Sequence, residues 1–204
     1  MKLYGRTNTR SLRAAWALEE AGAAYEYVTV DLFKGEGRSP AFLAINPAGK
    51  IPVLLDGELV LTESLAIVTY IGEKFPASGL VPATLAERAG CLRWCSFVVT
   101  ELEQPLWTIA RHRFALPRER RVPAVEDTAR WEFVRAKELF EAALGDREFI
   151  LPGGFSGADI LAAHTLGWAK SARIALDSPR LEAYVERLAA RPACRRAQER
   201  EAAR

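Results

Sequence analysis

Apolar and polar positions in the first part of the chain, up to Phe75, follow two different periodicities. The short apolar run KLYG predicts a buried strand, and SLRAAWALEEAG continues with apolar residues at helical spacing before Gly22. The next run, YEYVTVDL, is rich in β-branched and aromatic residues, which favours a second strand. Because a helix separates the two strands, the pattern predicts a βαβ unit with parallel pairing.

The second half of this region has the pattern of a hairpin followed by a helix. The apolar runs Val53–Leu55 and Leu59–Leu61 flank Asp56-Gly57, a pair that favours a tight turn between antiparallel strands. ESLAIVTYIGEKF then resumes helical spacing, whereas FKGEGRSPAFLAINPAGK reads as a loop with one short helix. The predicted order is β-α-β-(α)-β-β-α, a single mixed sheet with helices packed on it.

After the Gly- and Pro-containing segment FPASGLVPATL, strand signals disappear and long helical stretches separated by prolines follow. The clearest local signal there is FSGADI, in which Ser156 and Asp159 have the spacing of a capping box. Its expected role is structural, and Ser156→Ala is expected to cost about 1 kcal/mol.

Composition limits the classes of partner. The chain has 204 residues with 28 basic and 26 acidic side chains, a balance that predicts no nucleic-acid partner and no membrane partner. The Arg-rich tail from Arg187 to Arg204 reads as a solvated helix end. No secretory signal or membrane-spanning stretch is visible, and Cys91, Cys95 and Cys194 have no metal-binding spacing. The expected location is the cytoplasm.

Three motifs, NPAGKIPVL, LTESLAI and FSGADILAA, stand in this order along the chain. With a mixed first half and a helical second half, they resemble the glutathione transferase superfamily of the cytosolic, bacterial-like type. The resemblance implies an α/β + all-α fold: a thioredoxin-like domain over residues 1–77, a linker over 78–85 and an all-helical domain over 86–204. It also implies a homodimer, glutathione as cosubstrate without a metal, and a role in detoxification.

The same resemblance implies a set of glutathione-binding residues. Family members hold the bond before the equivalent of Pro52 in the cis form, which would present the backbone of Ile51 to the cysteinyl part of glutathione. Ser64 is assigned to the γ-glutamyl carboxylate at a helix N-terminus, and Glu63 to the neighbouring ammonium. Lys50 and Lys34 are candidates for the glycyl carboxylate.

The group that activates the thiol remains open between three residues. Glutathione must react as the thiolate, and a free thiol has a pKa of about 8.5. A hydroxyl donor at the start of the first helix would stabilise that anion. Aligning Arg13 with the arginine of the serine-using classes places Thr9 at the hydroxyl position, with Ser11 and Asn8 as alternatives. Where another class carries a catalytic cysteine, this chain has Arg10.

These observations predict a transferase that joins the glutathione thiolate to a small hydrophobic electrophile, expected to bind between the domains. Glutathione-dependent reduction of peroxides or disulfides on the same site is one alternative, although the cysteine nucleophile is missing. A non-catalytic interaction module with this fold is the other, and loss of glutathione-site residues would favour it. A thioredoxin-type oxidoreductase is excluded because the chain has no Cys-x-x-Cys.

Overall fold

The computed structural model describes residues 1–203, with only the backbone of Ser171. The chain divides into two compact units. Unit 1 comprises Met1–Ala83 together with the chain from Ala189 onward, and unit 2 is Thr84–Leu188. The sequence predicts one helical domain over residues 86–204. In the structure the last helix belongs to unit 1 instead.

Unit 1 contains a four-stranded sheet with strand order β2-β1-β3-β4. β1 pairs with β2 in parallel, and the other two pairs are antiparallel, which confirms the predicted βαβ unit and hairpin. The strands and helices of unit 1 are β1 (Lys2–Gly5), α1 (Ser11–Glu20), β2 (Glu26–Thr29), α2 (Pro40–Ile45), β3 (Val53–Asp56), β4 (Leu59–Thr62), α3 (Ser64–Lys74) and α9 (Pro192–Ala202).

The core of unit 1 follows from the apolar spacing of these elements. Phe42 of α2 packs on Val30 and Val53, and α1 packs against α3 and α9. Trp16 and Ile71 are fully or almost fully buried, as expected for a helix pair whose apolar faces meet. The mixed sheet with packed helices is therefore the predicted one.

The C-terminal helix α9 is the main departure from the sequence prediction. The sequence predicts solvated arginines, and the Arg196 and Arg200 side chains are 52% and 47% exposed, but both also pair with Glu19 on α1. Arg191 is less exposed and pairs with Glu20. The helix α9 also has a buried face, formed mainly by small residues about one helical turn apart. That face comprises Ala193, Cys194, Ala197 and Glu201, all buried, while Arg204 lies outside the described residues.

Unit 2 is helical throughout the part that the structure describes. Its helices are α4 (Leu85–Phe97), α5 (Glu103–Ala110), α6 (Val125–Leu144), α7 (Gly157–Ser171) and α8 (Pro179–Ala189). A π-helical turn, Val98–Leu102, separates α4 from α5. Pro105 has no N–H to donate to the preceding turn, so the helix lacks one hydrogen bond here, which is consistent with the wider π-helical turn.

The capping box predicted at the start of α7 is confirmed. The Ser156 N–H donates to Asp159 Oδ2 at 2.9 Å, and Asp159 also accepts from the Ile150 N–H and the Tyr184 hydroxyl. Tyr184 in turn packs edge-on against Phe140 in the core of unit 2. Among residues 1–203, no helix is both long and apolar enough to cross a membrane.

Candidate functional site

The register of the sheet brings three separate segments of the sequence to one edge. Val53 of β3 lies opposite Tyr4 of β1 and opposite Thr62 of β4, so these residues form one row across the sheet. The chain leaves this row towards the start of α1 after β1, and towards Glu63 and Ser64 after β4. It enters the row from Ile51-Pro52 before β3. Tyr4 also lies opposite Val28 of the parallel strand β2, so the segment carrying Lys34 leaves from this edge as well, and all candidate segments meet there.

The start of α3 has an unusual backbone. Glu63, the residue before the helix, has φ +64° and ψ 116°, a conformation that L-residues rarely adopt, and its side chain does not cap the helix. Such backbone strain is typical of functional sites. The Glu63 carboxylate is exposed, whereas Ser64 beside it is buried. The first N–H groups of α3 have no acceptor within the helix, so this end suits an anionic ligand group.

Arg13 is a further residue beside Ser64, and the sequence pattern did not indicate it as a binding residue. It is completely buried in α1, and its Nη1 donates to Ser64 Oγ at 3.3 Å. A buried guanidinium is costly unless its donors are bonded. Arg13 thus ties the start of α3 to α1 and adds a positive charge beside Ser64. The sequence feature that could have indicated Arg13 is its place between small and apolar residues in SLRAAWALEE, a helix that is buried on almost every side.

A short loop positions Lys50 and Ile51. The Asn46 side chain organises it, with Nδ2 donating to the Lys50 carbonyl at 2.8 Å and Oδ1 accepting from the Ala48 N–H at 3.1 Å. The Ile51–Pro52 peptide bond is cis. Because the pairing with β1 and β4 begins at Val53, the backbone N–H and C=O of Ile51 lie outside both ladders. The Ile51 backbone therefore sits where an extended ligand segment can pair with it.

Lys34 and Lys50 lie on two loops that touch. A Cβ on Gly49 would come within 2.5 Å of the Gly37 carbonyl, so the backbones of the two loops are in close contact. Gly49 also has φ +64°, a second reason why glycine is required there. Both lysine side chains are exposed. The contact brings the Lys34 loop to the Lys50 side of the sheet edge.

The three candidate activating residues have different surroundings at the start of α1. Asn8 is exposed and has φ +59°, and Thr9 is half-buried. Ser11 is completely buried at the first position of the helix. Thr9 Oγ1 lies 2.6 Å from the Arg6 carbonyl and 2.9 Å from Ser11 Oγ. Of these two residues, Thr9 is partly exposed to solvent and Ser11 is not.

Arg6, which stands just before this cluster in the sequence, already has an anionic partner. Arg6 forms an ion pair with Asp31, and its guanidinium stacks over the Phe33 ring at 4.4 Å from the ring centre. Desolvation raises the pKa of Asp31, but the Phe33 and Lys34 amides and the Arg6 charge outweigh it and hold that pKa below its usual value. Arg6 is therefore committed to Asp31 and not an unpaired charge for a thiolate.

No group of three or more His, Cys, Asp or Glu side chains that could hold a metal ion occurs in the described part of the chain. Cys91, Cys95 and Cys194 are free thiols, all buried, on α4 and α9. None of them stands among the residues at the sheet edge.

Comparison with known proteins agrees with this arrangement. Residues 1–73 match the family model "Glutathione S-transferase, N-terminal domain" and residues 104–192 match "Glutathione S-transferase, C-terminal domain". Glutathione S-transferase F10 of Arabidopsis thaliana is 30% identical over 204 residues, covering 95% of this chain and 94% of the relative.

Solved structures show the same fold over the whole chain. A beta-class glutathione S-transferase of Sphingomonas chungbukensis superimposes with a TM-score of 0.86 at 32% identity, covering 98% of each chain. A sphingomonad glutathione S-transferase complexed with glutathione superimposes with a TM-score of 0.86 at 33% identity, covering 100% of each chain. With these matches along nearly its full length, the chain belongs to the glutathione S-transferase family.

Proposed function

We propose that unit 1 binds glutathione at the sheet edge and that the bound thiolate is conjugated to a small hydrophobic electrophile. The observation that carries this proposal is the row Tyr4–Val53–Thr62, which places the Ile51 backbone, the start of α3 and the start of α1 at one edge. An extended tripeptide can pair with Ile51 while its γ-glutamyl end reaches the N-terminus of α3. Its cysteinyl thiol then lies towards α1.

Each candidate residue has a role in this proposal. Ser64 and the amides of α3 hold the γ-glutamyl carboxylate, with Arg13 bonded to Ser64 from behind. Glu63 faces the ammonium, and Lys50 and Lys34 face the glycyl carboxylate. Among the activating candidates, Thr9 is favoured because the Ser11 hydroxyl is buried and directed at Thr9 and Tyr27. The Thr9 hydroxyl donates to the thiolate and lowers the thiol pKa.

The test is calorimetric titration of glutathione into the wild-type protein, Ser64→Ala and Thr9→Val, followed by conjugation kinetics with an aryl halide. Ser64→Ala is expected to weaken binding by about ten-fold or more, since a hydrogen bond to a charged group contributes about 1.5–3 kcal/mol. Thr9→Val is expected to bind glutathione normally and to lose most of kcat. A wild-type protein that binds no glutathione would eliminate the proposal.

A second copy of the chain is the proposed protein partner. On unit 2, Trp131 and Leu139 of α6 are 60% and 61% exposed, and with Phe97 of α4 they line an open groove of about 400 Å³. Large exposed apolar groups of this kind are typical of protein interfaces. Trp131→Glu is expected to give a monomer in sedimentation velocity, with Glu186→Gln, an exposed residue of α8 outside this groove, as a control that leaves the association state unchanged.

A further inference from the structure

Behind the Thr9 hydroxyl, a line of hydrogen-bonding side chains leads into the interior of unit 1. The Ser11 hydroxyl contacts Thr9 Oγ1 at 2.9 Å and hydrogen-bonds on its other side to the phenolic oxygen of Tyr27. The Tyr27 hydroxyl donates to Glu201 Oε1 at 2.9 Å. Four side chains from the start of α1, from β2 and from α9 thus form one continuous chain that ends in a carboxyl group.

The line is closely packed where it crosses β1. A Cβ on Gly5 would lie 2.4 Å from Tyr27 Oη and 2.9 Å from Ser11 Oγ, so any side chain at this position would displace one of them. Gly5 has an ordinary strand conformation, and its missing side chain is explained by this contact. The contact between Ser11 and Tyr27 therefore depends on glycine at position 5.

The carboxyl at the inner end has no cationic partner among the described residues. Glu201 is 7% exposed, and Tyr27 is its one hydrogen-bond partner in this part of the chain. Burial raises the pKa of Glu201 to about 7, and the bond from Tyr27 opposes that rise. The carboxyl therefore changes its charge near neutral pH.

Other titratable groups lie close to Glu201. Burial raises the pKa of Tyr27 and of Tyr25 well above its ordinary value, and that of Cys194 to about 12, so these three stay protonated. Glu19 and Glu20 of α1 remain paired with arginines of α9. Those arginines are Arg191, Arg196 and Arg200.

The hydrogen bonds along this line can run in either of two directions, because each hydroxyl can donate only one hydrogen bond. When Glu201 is ionised, Tyr27 donates to Glu201 and Ser11 donates to Tyr27, which leaves Ser11 Oγ as an acceptor for the Thr9 proton. When Glu201 is protonated, it donates to Tyr27, Tyr27 to Ser11, and Ser11 to Thr9. Thr9 then loses its inward acceptor, and its proton is available to the thiolate, a stronger acceptor than the neutral Arg6 carbonyl.

We propose that Glu201 is a positioning residue that acts through Tyr27 and Ser11 on the Thr9 hydroxyl, so that the neutral carboxyl favours the glutathione thiolate and the ionised carboxyl disfavours it. This inference rests on the proposed role of Thr9 in thiol activation. The negative charge of ionised Glu201 acts in the same direction, since like charges disfavour each other. Neither Glu201 nor Tyr27 contacts glutathione in this scheme.

The experiment is a pH titration of the glutathione complex, following thiolate absorbance in the ultraviolet with S-methylglutathione as the background. In the wild-type protein the curve is expected to be broader than a single-site titration, because thiolate formation and Glu201 ionisation oppose each other. In Glu201→Gln it is expected to follow one site, with a midpoint lower by about half a pH unit. In Tyr27→Phe it is expected to approach one site, because the hydrogen-bonded link between Glu201 and Ser11 is removed. For both variants KM for glutathione should stay unchanged while the pH profile of kcat moves.

Two control variants separate this effect from damage to the packing of α9. The Tyr25 hydroxyl donates to Glu19 at 3.1 Å in the same helix contact, and Glu199 is exposed on α9. Tyr25→Phe and Glu199→Gln should reproduce the wild-type titration. The proposal is wrong if the titration curves of both test variants superimpose on the wild-type curve. If a variant does not fold, a single-site curve for the wild-type protein would overturn the proposal instead. Failure of the wild type to bind glutathione would instead eliminate the proposed function itself.

Discussion

Two helices of this protein begin in opposite ways. At the start of α7, Asp159 is completely buried and accepts hydrogen bonds from Ser156, Ile150 and Tyr184. At the start of α3, Glu63 has a left-handed φ, caps nothing, and holds its carboxylate in solvent. A helix start that serves the fold satisfies its polar groups internally, whereas one that serves a ligand leaves donors unsatisfied and tolerates strain.

Removing the internal acceptor of α7 should have the largest effect on stability. Asp159→Ala leaves four buried donors without their acceptor, at about 1–3 kcal/mol each, so we expect a loss of about 4 kcal/mol or more in the free energy of unfolding. Urea denaturation followed by circular dichroism measures it. Tyr184→Phe removes only one donor and should cost about 1 kcal/mol. Equal losses for the two variants would show that Asp159 is not the centre of this network.

A second buried carboxyl sharpens the comparison, because the Glu201 carboxyl accepts one hydrogen bond and the Asp159 carboxylate accepts four. The pKa of Glu201 is raised from 4.5 to about 7, so the folded protein binds a proton more tightly than the unfolded chain. Its contribution to stability is therefore fully present below pH 4.5 and is lost as the pH rises to about 7. We expect a decline on the order of 2 kcal/mol across this window, absent in Glu201→Gln. A pH-independent difference between the two proteins would contradict the assignment.

The cap hydroxyl of α7 should matter less than the carboxylate. Ser156→Ala removes the hydroxyl that lies 3.1 Å from Asp159 Oδ2 but keeps the backbone donor of Ser156. We expect a loss of about 1 kcal/mol in the free energy of unfolding, with activity of the folded protein unchanged. Differential scanning calorimetry is the measurement, and an unchanged melting temperature would argue against the capping role.

At the start of α3, a substitution should increase the free energy of unfolding instead of decreasing it. Glu63→Gly relieves the left-handed backbone and should raise the free energy of unfolding by about 1 kcal/mol, while weakening glutathione binding through loss of the carboxylate. Glu63→Gln is the matched control, because it weakens binding without relieving strain. Denaturation and calorimetric titration of both variants separate the two effects. A destabilised glycine variant would show that the strain at Glu63 has no energetic consequence.

Local features of the fold could be predicted from the sequence because their determinants lie close together. The Asp56-Gly57 hairpin and the Ser156–Asp159 capping box each need only a few consecutive residues, and both are present. The parallel pairing of β1 with β2 followed from the helix between them. Residue type and spacing are sufficient at this range.

Features that depend on distant residues could not be predicted in the same way. Arg13 and Ser64 are separated by 51 positions, and Tyr27 and Glu201 by 174. The arginines of α9 looked solvated because their acidic partners are on α1, at the other end of the sequence. The burial of Ser11, which separates it from Thr9 as a candidate, likewise depends on Tyr27 and on the absence of a side chain at Gly5.

The membership of α9 in unit 1 has a consequence for synthesis on the ribosome. Unit 1 is made from two segments that flank unit 2 in the sequence, so α9 is synthesised only after the whole of unit 2. Until then Glu19 and Glu20 lack the arginines that neutralise them, and the buried face of α1 lacks its cover. Unit 2 is contiguous and can fold while the chain is still attached. Unit 1 is thus completed only after unit 2 has been synthesised, and a nascent chain that ends before α9 lacks part of the core of unit 1.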